Sequence, residues 1–266
     1  SAGAVHHIGP NRLHTMLARR WATEGHVILR LDISGIGDSR PRPGEPENAV
    51  YTSRALEDIE AAAAYLRREQ GASDVRSVGL CAGAYNGIKA AAAGVRLEGV
   101  VAINPLTFFW NPSLSLDYPK ARVASEAKRY GESARSLKAW KKLLRGDVHF
   151  RVLARIMAHR AADVARHQVR EVARRLHIPM HEDLGAELEK IARQQVSIHF
   201  VFADGDPGSV LLTEQGGSVV GKLERKKVLS IDSIEGADHT FTPIWSHEIL
   251  ADALARRVMT PPSSRS

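Results

Sequence analysis

The sequence predicts an α/β fold in which a mostly parallel sheet is interrupted by one large, all-helical insertion. Short apolar runs alternate with amphipathic stretches, which is the pattern of a parallel sheet covered by helices on both faces. The alternation stops between residues 107 and 195, where every pattern is helical, and then resumes. With 266 residues, 44% of them hydrophobic, the chain can bury one substantial core.

The first part of the core, residues 1–106, is expected to contain three helices and three strands. Pro10 in the first turn and Gly25 after the last mark the boundaries of the first helix. Residues 40–48, rich in Pro, Gly and charge, are expected to form an exposed loop. The predicted elements are a helix at 10–24, a strand at 26–32, a helix at 51–70, a strand at 75–80, a helix at 82–93 and a strand at 99–105.

The insertion, residues 107–195, is expected to form a helical lid over the carboxyl ends of the strands. It holds 18 Lys and Arg against 10 Asp and Glu, whereas the rest of the chain holds 19 against 20. The surplus is either a solvated arginine-rich face or a surface that attracts an anionic partner. Helical patterns cover residues 120–130, 133–144, 148–160, 162–176 and 183–194. We place Phe108, Phe109 and Trp110 in the hinge or lid core in preference to the alternative, a contact with substrate.

The second part of the core, residues 196–260, resumes the strand rhythm. Each predicted strand is short and apolar and ends in a polar loop. The tail at 261–266 is expected to be disordered. The predicted elements are a strand at 196–203, a helix at 210–220, a strand at 228–234 and a helix at 244–258.

Composition excludes several classes of function. No run of about 18 apolar residues exists, which argues against a membrane span. A single cysteine excludes an internal disulfide and a cysteine-based zinc site, and it favours a reducing, cytoplasmic location. The twelve histidines are scattered without an H-E-x-x-H motif, so we expect neither a metal nor another cofactor. Few aromatics and no binding motif in the basic segment argue against nucleic acid.

The single cysteine, Cys81, lies in Gly79-Leu80-Cys81-Ala82-Gly83, between an apolar run and an alanine-rich helix. This is the pattern of a nucleophile elbow, with Cys in the usual place of Ser. The sharp turn leaves no room for side chains at Gly79 and Gly83, and the helix start favours a thiolate and a developing oxyanion. A lone cysteine can equally be a small buried hydrophobe.

Polar residues follow two later strands in an order that supports the catalytic interpretation. Asp204 and Asp206 follow the strand at 196–203, and His239 follows the next strand. Nucleophile, acid and histidine in this chain order are typical of one class of catalytic triad, and either aspartate could supply the acid.

The chain resembles the α/β-hydrolase superfamily over nearly its whole length. Within the superfamily it is similar to the serine-aminopeptidase-like branch that includes hydrolases associated with exosortase and exopolysaccharide loci. The residues that carry the resemblance are Ile8-Gly9-Pro10-Asn11-Arg12-Leu13, Leu31-Asp32-Ile33-Ser34-Gly35-Ile36-Gly37-Asp38-Ser39 and Gly79-Leu80-Cys81-Ala82-Gly83-Ala84. Cysteine in place of serine also occurs in dienelactone hydrolases and polyhydroxyalkanoate synthases.

The resemblance implies a role for each member of the triad. Cys81 would attack an acyl carbonyl, and His239 would accept the thiol proton and return it to the leaving group. The family's acid sits a few residues beyond its strand, which favours Asp206 over Asp204. The oxyanion hole would be formed by the backbone N–H of Ala82 and that of Ala4.

Several other polar residues are assigned less specific roles. His6, His7 and Asn11 lie near the expected oxyanion loop, where they could touch substrate or stabilise the loop by hydrogen bonds. Asp238 is expected to cap its loop, and His199 to be a satisfied core residue.

The resemblance also implies that strands are missing at the start. In the superfamily the oxyanion loop follows a strand that lies between the strand at 26–32 and the strand at 75–80. This chain begins at the loop, so we expect about three upstream strands to be absent, and either a gap in the sheet beside the elbow strand or another segment that fills it.

Together these features predict an acyl hydrolase, an esterase or thioesterase, that acts through Cys81, His239 and Asp206. Because a thioester can be attacked by acceptors other than water, an acyltransferase is the first alternative. The second is a non-catalytic binding module whose basic lid captures an anionic glycan or an acidic acyl carrier protein. The expected substrate is a small acyl ester or thioester, no membrane is involved, and the sequence leaves the oligomeric state open.

Overall fold

The structure is a computed structural model that describes residues 2–111, 169, 172–174, 176, 178 and 180–258. Its centre is a sheet of four parallel strands whose spatial order is their chain order. The strands are β1 (Arg76–Leu80), β2 (Gly99–Ile103), β3 (Ser197–Ala203) and β4 (Leu229–Ile234). The predicted α/β class with a parallel sheet is therefore confirmed.

Seven α-helices have both ends within the described residues, together with a short 3-10 turn at Pro10–Arg12. None of these helices is both long and apolar enough to cross a bilayer. The helices are α1 (Leu13–Thr23), α2 (Ala55–Gln70), α3 (Ala82–Ala93), α4 (Leu184–Arg193), α5 (Pro207–Gly216), α6 (Ser218–Arg225) and α7 (Ile244–Val258).

The sheet separates two apolar cores because successive side chains of a strand point to opposite faces. In β2, Val100 and Ala102 belong to the core formed with α2, α3, α4 and α6. The alternate residues, Val101 and Ile103, belong to the core formed with α1 and α7. All five residues of β2 are buried, as expected for a central strand with helices on both faces.

The predicted strand at 26–32 is wrong. These residues have no regular secondary structure and belong to no strand of the described part of the chain. A strand requires a ladder of backbone hydrogen bonds to a neighbour, and β1 pairs only with β2. Residues 26–31 therefore do not pair with β1, and within the described residues β2 is the one strand that does.

Two predicted helices have different boundaries. The helix expected at 51–70 begins at Ala55, because the Thr52 hydroxyl accepts a hydrogen bond from the Arg54 N–H and holds a turn there. The helix expected at 210–220 is replaced by α5 and α6. Gly217 separates them with φ 60° and ψ −143°, a conformation that glycine adopts without a Cβ clash.

Most of the predicted lid lies outside the described residues, as does the tail at 261–266. Of the predicted helices in the insertion, the last is described in full as α4. It begins after Asp183, whose side chain accepts a hydrogen bond from the Ala186 N–H and so caps the helix. The division of the chain into a core and a lid remains a prediction.

Candidate active site

Cys81 lies at a sharp turn between β1 and α3. Its backbone has φ 57° and ψ −112°, a sparsely populated region for a residue with a side chain that costs about 1–3 kcal/mol. The Cys81 N–H donates to the carbonyl of Ile103 at 2.8 Å, which holds the turn against the end of β2. Cys81 is half-buried and precedes the first turn of α3, whose free N–H groups point towards it.

Gly79 is required by its close backbone contact with Gly83. A Cβ on Gly79 would lie 2.2 Å from the backbone carbon and oxygen of Gly83. Carbon atoms in ordinary contact are about 3.5–4.0 Å apart, so no side chain fits at position 79. The backbone conformation and the packing of Cys81 both agree with a nucleophile elbow.

His239 and Asp206 are joined by a short hydrogen bond. His239 Nδ1 lies 2.7 Å from Asp206 Oδ2, and the Asp206 side chain is 2% exposed. The other carboxylate oxygen, Oδ1, accepts from the Gly208 N–H at 2.9 Å at the start of α5. Asp206 is therefore held at both oxygens, which orients the His239 ring.

The alternative acid, Asp204, has a different environment. It directly follows β3 and its side chain is exposed, while its N–H donates to the Ile234 carbonyl. Of the two aspartates that follow β3, it is Asp206 that contacts His239.

The protonation of His239 is governed by its neighbours. Burial acts to lower the pKa of His239, but the Asp206 hydrogen bond and the nearby Cys81 side chain outweigh it and raise the pKa from 6.5 to about 9. Nε2 is buried and makes no hydrogen bond of regular geometry within the described residues. The thiol is thus close enough to act on the histidine electrostatically without a well-formed hydrogen bond.

The loop that carries His239 is held by its own contacts. Asp238 Oδ1 accepts from the Thr242 N–H at 2.7 Å, which is the capping role expected for Asp238. Phe241 is fully buried despite a left-handed φ of 55°. His247 Nε2 lies 2.7 Å from the Phe241 carbonyl and ties the loop to α7.

Asn104 is a positioning residue that sequence reasoning missed. It follows β2, has no exposed surface, and donates through Nδ2 to the His239 carbonyl at 2.8 Å. Its Oδ1 accepts from the Ala203 N–H, also at 2.8 Å. Asn104 therefore joins the end of β3 to the histidine loop. The available signal was a polar residue directly after a fully apolar strand.

The predicted oxyanion loop packs in the same apolar cluster as the elbow. Ala2 and Val5 form an isolated antiparallel bridge, and Ala2 packs in the apolar cluster that Cys81 also contacts. Ala4 is exposed within this turn. Ala82 is the first residue of α3, where backbone N–H groups lack helical partners. The assignment of Ala82 and Ala4 to an oxyanion hole remains a prediction.

His7 stabilises the loop near the site. Its Nδ1 lies 2.8 Å from Asp32 Oδ2, and the Asp32 side chain is 3% exposed. His6 Nδ1 accepts weakly from the Ile8 N–H at 3.4 Å, and Asn11 is exposed with φ 51°. Among the described residues, none of these three side chains forms a hydrogen bond with Cys81 or His239.

Some of these side chains could also hold a cation. Ligand atoms of His7, Asp32 and Asp38 lie within 4.8 Å of one another, and they form the group of this kind found within the described residues. The metal-free expectation from the sequence did not anticipate this cluster. Its geometry is already explained by the hydrogen bond between His7 and Asp32.

The remaining predicted residues pack within the protein. His199 is buried, with Nδ1 2.8 Å from Ser230 Oγ, in agreement with a core role. Phe108 is buried against Phe200 with ring centroids 6.1 Å apart. Lys89 Nζ lies over the Phe109 ring, 4.0 Å from its centroid, and Trp110 stacks on Tyr51 at a centroid distance of 4.4 Å.

Comparison with known proteins shows only distant likenesses. No protein-family model and no curated protein matches the chain. An alpha-beta serine hydrolase homologue from Coxiella burnetii is 14% identical, with 93% of this chain and 76% of that chain covered and a TM-score of 0.47. An alpha/beta hydrolase from Sphaerobacter thermophilus is 18% identical, with 94% of this chain and 89% of that chain covered and a TM-score of 0.47. Proline iminopeptidase from Mycobacterium smegmatis is 12% identical, with 96% of this chain and 86% of that chain covered and a TM-score of 0.49.

Proposed function

We propose that the protein is an α/β-hydrolase-type acyl hydrolase that cleaves a small ester or thioester through a covalent thioester on Cys81. The observation that carries this proposal is the hydrogen-bonded pair of Asp206 and His239 beside Cys81 at the start of α3. A cysteine, a histidine that its carboxylate orients, and a helix N-terminus are the parts that thiol-based acyl transfer requires.

The reaction begins with the thiol proton on His239. Because the pKa of His239 is raised to about 9, its imidazole holds a proton at neutral pH. In the proposed reacting pair this proton has come from the Cys81 thiol, whose sulfur is then the nucleophile. Sγ attacks the acyl carbonyl carbon, and the carbonyl oxygen becomes negative. The N–H of Ala82, together with that of Ala4, is proposed to stabilise this oxyanion.

Collapse of the tetrahedral intermediate completes acylation. The bond between the carbonyl carbon and the leaving oxygen or sulfur breaks, and His239 gives its proton to the leaving group. In deacylation His239 takes a proton from water, whose oxygen attacks the thioester carbon. The carbon–sulfur bond then breaks, the carboxylic acid leaves, and the proton on His239 restores the starting pair.

Labelling and turnover of the same variants test the proposal. Iodoacetamide and a nitrophenyl ester should modify Cys81, and Cys81→Ala should abolish both modification and ester turnover. His239→Ala should lower turnover by about 100-fold or more, the usual share of a general base. His181→Ala is the matched control, because that side chain is 96% exposed. Turnover unchanged in Cys81→Ala would contradict the proposal.

Acyl transfer is the second candidate, because a thioester at Cys81 can react with an alcohol, amine or thiol as well as with water. Mass spectrometry of Cys81 with a panel of acyl esters and thioesters separates the cases. Acid release without an acceptor supports hydrolysis. An acyl group that stays on Cys81 until an acceptor is added supports transfer.

A binding module is the third candidate, and the charge surplus of residues 107–195 supports it. In this case an acidic acyl carrier protein or an anionic glycan binds without turnover. Such binding should weaken as salt rises, because screening shortens the range of surface charges. Binding that does not depend on salt would argue against it.

A further inference from the structure

A groove of about 340 Å³ lies along α3, the helix that follows the elbow, where α3 meets α2 and α4. We call it the α3 groove. The residues that line it include Tyr85 and Lys89 of α3, Leu56 of α2, and Glu187 and Lys190 of α4. None of the three proposed catalytic residues lines it. The volume is within the range of sites that bind small molecules, so its charged and polar groups indicate what it could hold.

Lys89 and Glu187 form a half-buried ion pair in the wall of the groove. Lys89 Nζ lies 2.7 Å from each carboxylate oxygen of Glu187, and the two side chains are 17% and 26% exposed. The same ammonium lies over the Phe109 ring, 4.0 Å from its centroid. Burial lowers the pKa of Lys89, although the Glu187 carboxylate acts to raise it. Both oxygens of Glu187 are therefore engaged with Lys89.

Lys190 is left without a counter-ion by that pairing. Glu187 and Lys190 are three residues apart on α4, a spacing at which opposite charges ordinarily attract each other across one turn. Because Lys89 engages Glu187, Lys190 pairs with no carboxylate within the described part of the chain. Glu182 also acts on the charge of Lys89, but its side chain is 43% exposed and it does not line the groove. The groove therefore offers an ammonium that is free to bind an anion.

Hydroxyl groups and apolar carbons complete the lining. Thr52 and Ser53 line the groove just before α2 begins. Thr52 Oγ1 accepts from the Arg54 N–H at 3.2 Å, so its own proton remains available to an acceptor in the groove. Leu56 and Ala93 add apolar surface. Hydrogen-bond donors beside apolar carbons suit an anionic head group that carries an apolar tail.

We propose that the α3 groove is a binding site for a small monocarboxylate with an apolar tail. The carboxylate pairs with the Lys190 ammonium and accepts from the hydroxyls of Thr52 and Ser53, and the tail lies against Leu56 and Ala93. A charge-assisted hydrogen bond contributes more than one between neutral groups, so the head group decides the affinity. The site uses no residue of the proposed triad, and it stands whether or not the triad is active.

Ligand-observed NMR titration of the full chain with sodium hexanoate tests the site. Hexanamide and hexylamine have tails of similar length but lack the negative charge, so each should bind at least about 10-fold more weakly. The titration is repeated after Cys81 has been alkylated with iodoacetamide. Because Cys81 does not line the groove, the dissociation constant for hexanoate should not change.

Substitutions in the groove locate the bound carboxylate. Lys190→Gln removes the free ammonium and should weaken hexanoate binding by at least about 10-fold. Lys226→Gln is the matched control, because Lys226 is also an exposed lysine but does not line the groove. Ala93→Trp fills the groove and should abolish binding, whereas Ala64→Trp, at an exposed position of α2 outside the groove, should not. Circular dichroism melts check that each variant folds.

Glu187→Gln should have the opposite effect. It removes the carboxylate that engages Lys89, so a second ammonium faces the groove and hexanoate should bind several-fold more tightly. A general structural defect would not raise the affinity. Equal affinity for hexanoate and hexanamide would overturn the proposal, as would unchanged affinity in Lys190→Gln or equal losses in Lys190→Gln and Lys226→Gln. Loss of binding on alkylation of Cys81 would also overturn it, because the carboxylate would then lie at the catalytic centre.

Discussion

Replacing Gly79 by alanine tests the elbow without any assumption about substrate. The new Cβ would lie 2.2 Å from Gly83 and 2.6 Å from the Ala84 nitrogen, and both neighbours are backbone atoms that cannot rotate away. The turn must therefore open. Overpacking of this kind costs about 3 kcal/mol or more. For a chain of this size that lowers the Tm by about 6–12 °C.

The matched control for Gly79 is Gly221, which lies in α6. A Cβ at Gly221 would have as its nearest neighbour the Arg225 side chain at 3.5 Å, an ordinary contact. Gly221→Ala should stabilise the protein by up to about 1 kcal/mol through helix propensity. Circular dichroism melts and the rate of Cys81 alkylation follow both variants. A Gly79→Ala variant that melts with the wild type and keeps its alkylation rate would refute the reasoning.

Three further predictions concern the polar contacts. Asn104→Leu leaves the His239 carbonyl and the Ala203 N–H buried without partners, so denaturant unfolding should show a loss of about 2–4 kcal/mol. Although burial acts to lower it, the pKa of His239 is raised from 6.5 to about 9. The contribution of protonated His239 to the free energy of unfolding is therefore complete below pH 6.5. The free energy of unfolding, measured by urea titration at each pH, should fall by about 2–3 kcal/mol as the pH rises through 9. The fall should be smaller in Asp206→Asn. Glu187→Gln removes the carboxylate 2.7 Å from Lys89 Nζ. Burial lowers the pKa of Lys89, so its charge is costly once its partner is removed. Thermal melts should show a loss of stability of about 1–3 kcal/mol, and adding Lys89→Met to the variant should partly restore it.

Local patterns were sufficient for most of the core. The helix after Cys81 was predicted with the boundaries it has, because an alanine-rich run between a strand and Gly94 leaves little choice. The ends of β2 and β4 were predicted to within about two residues, because their apolar runs are bounded by turns. Pattern and structure agree where the forces act between residues close in the chain.

Predictions failed where distant residues decide the structure. The run at 26–32 has the composition of a strand, but pairing depends on a neighbour that periodicity does not reveal. Asn104 was missed because its partners, Ala203 and His239, are 99 and 135 residues away. Chain order alone left Asp204 and Asp206 open, because the choice depends on a contact with His239 across 33 residues; the family resemblance favoured Asp206, which makes that contact.

The order of the sheet has a consequence for how the protein folds. Cys81 follows β1, whereas Asp206 and His239 follow β3 and β4, and β2 lies between the two groups. The site therefore cannot assemble until β3 has docked on β2 across more than 90 residues of chain. Such long-range pairing is slow. The rate at which the single thiol reacts with an alkylating reagent therefore reports on refolding, because His239 and Asp206 reach Cys81 when β3 and β4 join the sheet.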